Sequence, residues 1–318
     1  MIRTWLTDRF DLRVALVGAP MAGPGDGRLA AAVSQAGALG MVGVGAARTP
    51  AWIAEQAAIA AAPGRRFGFG LMAWALEERP EQLDAVLDAG PALVSVSFGN
   101  VAPHVGRIRD AGVAAAVQAG TVEEAVAAEA AGASVVVARG AEAGGHGRDA
   151  VGTLALLQAL LDRLDVPVLA AGGIGTARGL AAVLAAGATG AWVGTALLGC
   201  PEAANSATAR QRLFAAEGTD TRYGRVFDVA QRLGWPPEYG GRALGNAFFE
   251  RWRARLDELA GDDAAAEELA AARAAEDYDT AYLYAGQGVG LLREERPVAD
   301  VIAELARVEE LLAALPAM

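Results

Sequence analysis

The stretch ARGAEAGGHGR, residues 138–148, sets Gly144, Gly145 and Gly147 around His146, one of only two histidines in a chain of 318 residues. Small and acidic neighbours offer this imidazole no apolar face to pack against, so a chemical role is the better reading. Neutral, it can take a proton; charged, it can hold a negative charge near neutral pH. Two further segments share its glycine-rich texture. AAGGIGTARG (170–179) places Gly172, Gly173 and Gly175 ahead of Thr176, and GTALL (194–198) presents Gly194 and Thr195. Glycines at such positions let backbone N–H groups turn toward an anion at the start of a helix. His104, in FGNVAPHVGRIRD, opens a helix and reads as a surface or capping residue.

Other chemistries lack the residues they need. Two histidines cannot build a three-histidine zinc site, and the chain has no cysteine pair and no His-x-x-x-His spacing, so no metal is expected. The single cysteine, Cys200, ends an apolar stretch before Pro201 and reads as a buried small hydrophobe. It permits no internal disulfide, which makes the cytoplasm the expected compartment. No G-x-S-x-G elbow or G-x-x-x-x-G-K-[ST] loop occurs. GGIGTARG is a weak match to a dinucleotide fingerprint, but it follows the seventh candidate strand rather than the first. A phosphate cradle beside a histidine, without metal or activated nucleophile, points to chemistry borrowed from a phosphate-bearing cofactor.

These loops must be positioned by regular elements. Apolar runs recur at 13–18, 39–44, 67–71, 93–98, 113–118, 134–138, 166–171 and 190–194. Most are continuous, as expected for strands covered on both faces, and Ala-rich stretches of helical spacing separate them. TVEEAVAAEAAG (121–132) is one such helix, with a capping box predicted from Thr121 and Glu124 and a stop at Gly132. Eight strands alternating with helices predict a (β/α)8 TIM barrel over residues 1–200, with an open doubly wound sheet as runner-up. In such a barrel the three glycine segments follow strands six, seven and eight, where a phosphate commonly binds. Residues 201–285 carry many charges and no strand-like runs, and predict a smaller, mostly helical cap over the barrel mouth. In 286–318, the tail RPVADVIAELARVEELLAAL (296–315) predicts an amphipathic helix that packs back on the barrel through Val298, Ile302, Leu305 and Val308.

Composition agrees with small-molecule work. A net charge of −11, with no lysine, argues against nucleic acid and anionic lipid as partners. The uncharged stretch 179–201 is long enough to span a bilayer, but Gly187, Gly190, Gly194 and Gly199 divide it into helix, strand and turn. Asp8, Arg9 and Asp11 interrupt the start of the chain, so no export signal is expected.

Five motifs together carry a family resemblance: GAPMAG (18–23), ARGAEAGGHGR, AAGGIGTARGL, GAWVGTALL and YAGQGVGLL (284–292). The chain resembles the nitronate monooxygenases, formerly called 2-nitropropane dioxygenases. The resemblance implies a barrel that binds FMN without a covalent link and oxidises alkyl nitronates or nitroalkanes with dioxygen to a carbonyl compound and nitrite. It implies that Gly145, Gly173, Gly194 and Thr195 lie near the phosphate, and that Gly140, Gly144 and Gly172 in the same loops also bind the cofactor. It implies that Ala19, Pro20, Met21 and Ala22 bind the cofactor, with Met21 and Ala22 lining the flavin ring, that Gln118 contacts the flavin, and that His146 faces the substrate. Tyr282 and Tyr284 are candidate phenol donors to the nitro oxygens, or else core-facing residues. A homodimer is compatible with this reading. The main alternative is an NAD(P)H-dependent FMN reductase of quinones or enoyl thioesters, since flavin-dependent enoyl-acyl carrier protein reductases share the A-G-G-H loop. A flavin-free phosphate-binding barrel is the third reading.

Overall fold

The computed structural model describes residues 2–62 and 64–314. Nine of its strands run β1 Leu16–Gly18, β2 Leu39–Gly43, β3 Phe67–Met72, β4 Leu93–Ser97, β5 Ala114–Ala119, β6 Val135–Arg139, β7 Gly145–Gly147, β8 Val168–Ala171 and β9 Gly190–Val193. Eight of them close a barrel in the order β1-β2-β3-β4-β5-β6-β8-β9, all parallel, with β9 pairing back onto β1 through Val17 and Trp192. Each apolar run read from the sequence is one of these barrel strands. Continuous runs were required because both strand faces are buried. Val17, Leu39, Met41, Leu93, Val135, Val137, Leu169 and Trp192 form one cluster, while the alternate residues Leu16, Val42, Phe69, Val94, Val136, Ala170 and Val193 join a second cluster with the helices. The short helix Trp5–Phe10 adds Leu6 and Phe10 to the first cluster, and the Leu6 N–H donates to Thr189 Oγ1 just ahead of β9. It plugs the end of the barrel opposite the strand C-termini.

The segment after Cys200 departs from expectation. It holds several helices, but also β10 Thr221–Gly224 and β11 Gly240–Leu244, and β11 pairs antiparallel with both β10 and β7. The absence of strands predicted for 201–285 is therefore corrected. β11 begins Gly240-Gly241-Arg242, which reads locally as a turn; it is a strand because its partner β7 lies far away in sequence. At Gly241 a Cβ would fall 2.6 Å from Tyr284 Cε1 and 3.3 Å from His146 Nε2. Only glycine lets β11 pass this close to the rings.

The predicted capping box is half present. Thr121 Oγ1 accepts from the Glu124 N–H at 3.2 Å, but the Glu124 carboxylate accepts instead from the Gly120 N–H at 2.8 Å and from Arg148 Nε at 2.8 Å. A charged partner outcompetes the neutral Thr121 amide for the carboxylate. Gly132 closes the helix with φ 92°. The tail forms two helices, Val298–Ala306 and Val308–Ala313, and buries Val298, Ile302, Leu305 and Val308 against the barrel's outer layer; Leu315, the last residue of the predicted helix, lies outside the described residues. No helix among the described residues is long and apolar enough to cross a membrane.

Candidate active site

His146 sits at the centre of β7, a three-residue strand in the connection between β6 and β8. Two buried arginines shape that connection. Arg139, ending β6, is 3% exposed and donates to the carbonyls of Ala143, Gly144 and Gly145 at 3.2, 3.2 and 2.8 Å and to that of Arg148 at 3.3 Å. Burial pushes its guanidinium down to about 10, so it remains charged at neutral pH while facing carbonyl oxygens. Arg242 on β11 bonds the Ala141 carbonyl at 2.7 Å and Asp149 at 2.6 Å. The Tyr223 hydroxyl donates to the Gly147 carbonyl at 2.7 Å and accepts from the Gly240 N–H at 2.9 Å. A loop built from glycine thus becomes a fixed platform.

On this platform the imidazole is held on three sides. Its Nε2 lies 2.7 Å from Asp228 Oδ1, and Asp228 is 2% exposed. Its face is stacked on Trp235, with ring centroids 3.6 Å apart and planes 4° from parallel. Tyr284 tilts against it at 5.2 Å and donates its hydroxyl to the same Asp228 oxygen at 3.3 Å. Burial first, then the Asp228 charge, drives the Tyr284 phenol well above its ordinary range, so it stays a donor. Trp235 in turn packs on Trp74 and Phe98, each at 5.3 Å, and Phe98 meets Tyr239 at 5.4 Å.

The other predicted residues gather at the strand C-termini. Met21 and Ala19 flank Gly194, where a Cβ would fall 3.3 Å from Met21 Sδ and 3.5 Å from Ala19 Cβ. Pro20 packs over Gly70, and Ala22 bridges to Gly43 while remaining exposed. Thr195 Oγ1 accepts from the Gly286 N–H at 3.0 Å, which draws the late YAGQGVGLL segment to the β9 loop. Gly145 and Gly173 have φ 69° and 72°. A Cβ would meet nothing within 4 Å at the first and only Glu142 Cβ, at 3.9 Å, at the second. Their backbones therefore face open space. Gly140 and Gly172 instead press on Thr153, and Gly144 on Gly286, where any side chain would collide. Gln118, in β5, donates its backbone N–H to Ser97 Oγ at 2.9 Å, and its side-chain amide has no hydrogen bond among the described residues. Tyr282 lies one ring farther from His146, 5.4 Å from Tyr284 and beneath the Arg273 guanidinium at 4.9 Å. His104 is half-buried in the first turn of the helix Ala102–Asp110, away from this cluster in the chain. Cys200 is buried, which pushes its thiol up to about 12 and leaves it unreactive. No group of three His, Cys, Asp or Glu side chains that could hold a metal exists among the described residues.

Asp228 and Trp235 escaped the sequence reading. One signal was available: in GRVFDVA a carboxylate interrupts an apolar run of a short helix, Val226–Ala230, and such a buried charge requires a partner.

Comparison with known proteins places the chain in a family. Residues 72–307 match the family described as nitronate monooxygenase. The nitronate monooxygenase of Pseudomonas aeruginosa is 33% identical, covering 96% of this chain and 99% of its own length. That of Paraburkholderia phytofirmans is 30% identical over 92% and 91%. Among solved structures, FabK from Thermotoga maritima superposes with a TM-score of 0.85 at 26% identity, covering 98% of both chains. The nitroalkane oxidase from Streptomyces ansochromogenes gives 0.81 at 32% identity, covering 96% of this chain and 99% of its own. With a closed barrel, the glycine loops at its strand C-termini and a pinned histidine beside them, this chain belongs to the nitronate monooxygenase family of oxidoreductases.

Proposed function

We propose that the protein oxidises alkyl nitronates, and nitroalkanes after deprotonation, with dioxygen to a carbonyl compound and nitrite, using FMN held without a covalent bond at the barrel mouth. The observation that carries this reading is the single immobilised imidazole beside loops whose backbone faces open space. Gly145 and Gly173 leave room where a phosphate needs close backbone approach, and Gly194 and Thr195 follow β9, the strand paired with β8. Met21 and the exposed Ala22 would lie along the flavin ring, and the unspent amide of Gln118 would reach its polar edge. The bound flavin would supply the electron transfer that no side chain here can perform. His146 would remove the proton beside a nitro group and, once charged, hold the nitronate oxygens. Trp235 and Tyr284 keep water from the ring faces and fix its plane. A cytoplasmic location belongs to the same proposal, supported by a fold that uses no disulfide.

The test begins with the visible spectrum of the purified protein, followed by separate anaerobic additions of propionate 3-nitronate and NADPH. A yellow protein bleached by the nitronate alone is the expected result. Bleaching by NADPH alone would replace this reading with that of a nicotinamide-dependent reductase. A colourless protein that refuses added FMN would sink both.

A further inference from the structure

The geometry points to Asp228 as the positioning residue of His146, and to Nδ1 as the ring atom that exchanges a proton with the substrate. The identity of the substrate rests on the function proposed above; the ring geometry does not. Asp228 and His146 lie 82 positions apart, joined only because the helix Val226–Ala230 packs beside β11. At 2.7 Å the Nε2···Oδ1 contact is in the range of a charge-assisted hydrogen bond. A carboxylate only accepts, so Nε2 carries the hydrogen. The neutral ring is then the Nε2–H tautomer, with its lone pair on Nδ1.

The surroundings leave no other working atom. Nε2 is closed in by Asp228 and by the backbone of Gly241, where a Cβ would stand 3.3 Å away. Trp235 covers one face of the ring, and the Tyr284 ring lies tilted against it. Nδ1 has no hydrogen-bond partner among the described residues, and 11% of the side chain is exposed. Asp228 Oδ2 is buried with no partner, so the carboxylate's interactions are concentrated on the oxygen that faces His146. Such a desolvated charge is costly alone and is best offset by a positive partner. In the step this implies, the C–H bond beside the nitro group breaks and its proton goes to Nδ1. The electron pair moves into the carbon–nitrogen bond and leaves negative charge on the nitro oxygens. The Asp228 carboxylate, hydrogen-bonded to Nε2, stabilises the resulting imidazolium.

The measurement is a long-range proton–nitrogen NMR correlation on FMN-loaded protein labelled with 15N-histidine. There are only two histidines to assign, and His104→Gln identifies the second. The expected wild-type spectrum shows Nε2 protonated and, in the neutral ring, Nδ1 bare. An Asn amide can donate as well as accept, so Asp228→Asn should release the lock and shift the population toward Nδ1–H. The same variant should lower nitroalkane turnover at least about 10-fold, the usual scale for losing a ring-orienting partner, with the flavin spectrum unchanged. Turnover of a preformed nitronate, which needs no proton removed, should fall less. Asp228→Glu should recover part of the loss. A wild-type ring protonated at Nδ1 and bare at Nε2 would overturn the inference, and that result needs no variant to fold. So would an Asp228→Asn protein with unchanged tautomer and unchanged turnover. If wild-type protein turns over neither substrate, the proposed function fails while the tautomer still decides the role of Asp228.

Discussion

The indole of Trp235 lies flat on the imidazole of His146, 3.6 Å between ring centroids and 4° from parallel. A parallel stack at this distance leaves no room for water or substrate between the rings, so reactants approach His146 at its edge. Trp235 is 8% exposed and forms the wall of the site with Trp74 and Phe98. Trp235→Ala should cost about 3 kcal/mol of stability, measured by denaturant unfolding, and should lower turnover because the ring loses its plane. Full turnover with a freely rotating histidine would show that the stack is dispensable.

His146→Ala removes the acid–base group and leaves the glycine loops in place. The variant should keep its flavin and lose about 10²- to 10⁴-fold in nitroalkane turnover. Steady-state kinetics beside a visible spectrum separate the two effects. Undiminished turnover would take His146 out of the mechanism.

Gly173→Val tests the phosphate loop. The position has φ 72°, where a β-branched residue is strained, and its side chain would stand in the open space beside the backbone. Purified variant should be colourless, or should lose FMN on dialysis, with its melting otherwise cooperative. A stably yellow protein would refute the assignment of this loop to the cofactor.

Alkaline stability should report on the buried phenols. Burial and the Asp228 charge raise the Tyr284 pKa in the fold, and burial with Glu124 pushes Tyr239 up to about 12. Above pH ~10 the unfolded chain loses these protons while the folded chain keeps them, so stability must fall as pH rises. For Tyr284 the slope should approach about 1.4 kcal/mol per pH unit. Tyr284→Phe should flatten that limb in urea melts between pH 9 and about 11. An identical limb in the variant would place the alkaline sensitivity elsewhere.

The barrel was legible in the sequence because its information is local. A strand buried on both faces needs an unbroken apolar run, and a loop that turns its amides outward needs glycine, so Leu16–Gly18 through Gly190–Val193 and the segments around Gly145, Gly173 and Gly194 announce themselves residue by residue. His146 stood out for the same reason, as an imidazole with no apolar neighbours in the chain. The partners of that imidazole carried no comparable signal. Asp228, Trp235 and Tyr284 reach it from segments 82, 89 and 138 residues further along, and nothing in their own neighbourhoods says which distant ring they meet. β11 was hidden because Gly241, which admits His146 and Tyr284, belongs to a glycine pair that reads as a turn. Glu124 left its predicted cap for Arg148, whose charge arrives only when the barrel closes. Backbone preference and binary burial are written locally, and they determined the scaffold; pairing between charges and rings depends on which loops share a barrel mouth, and only the tertiary structure decided it.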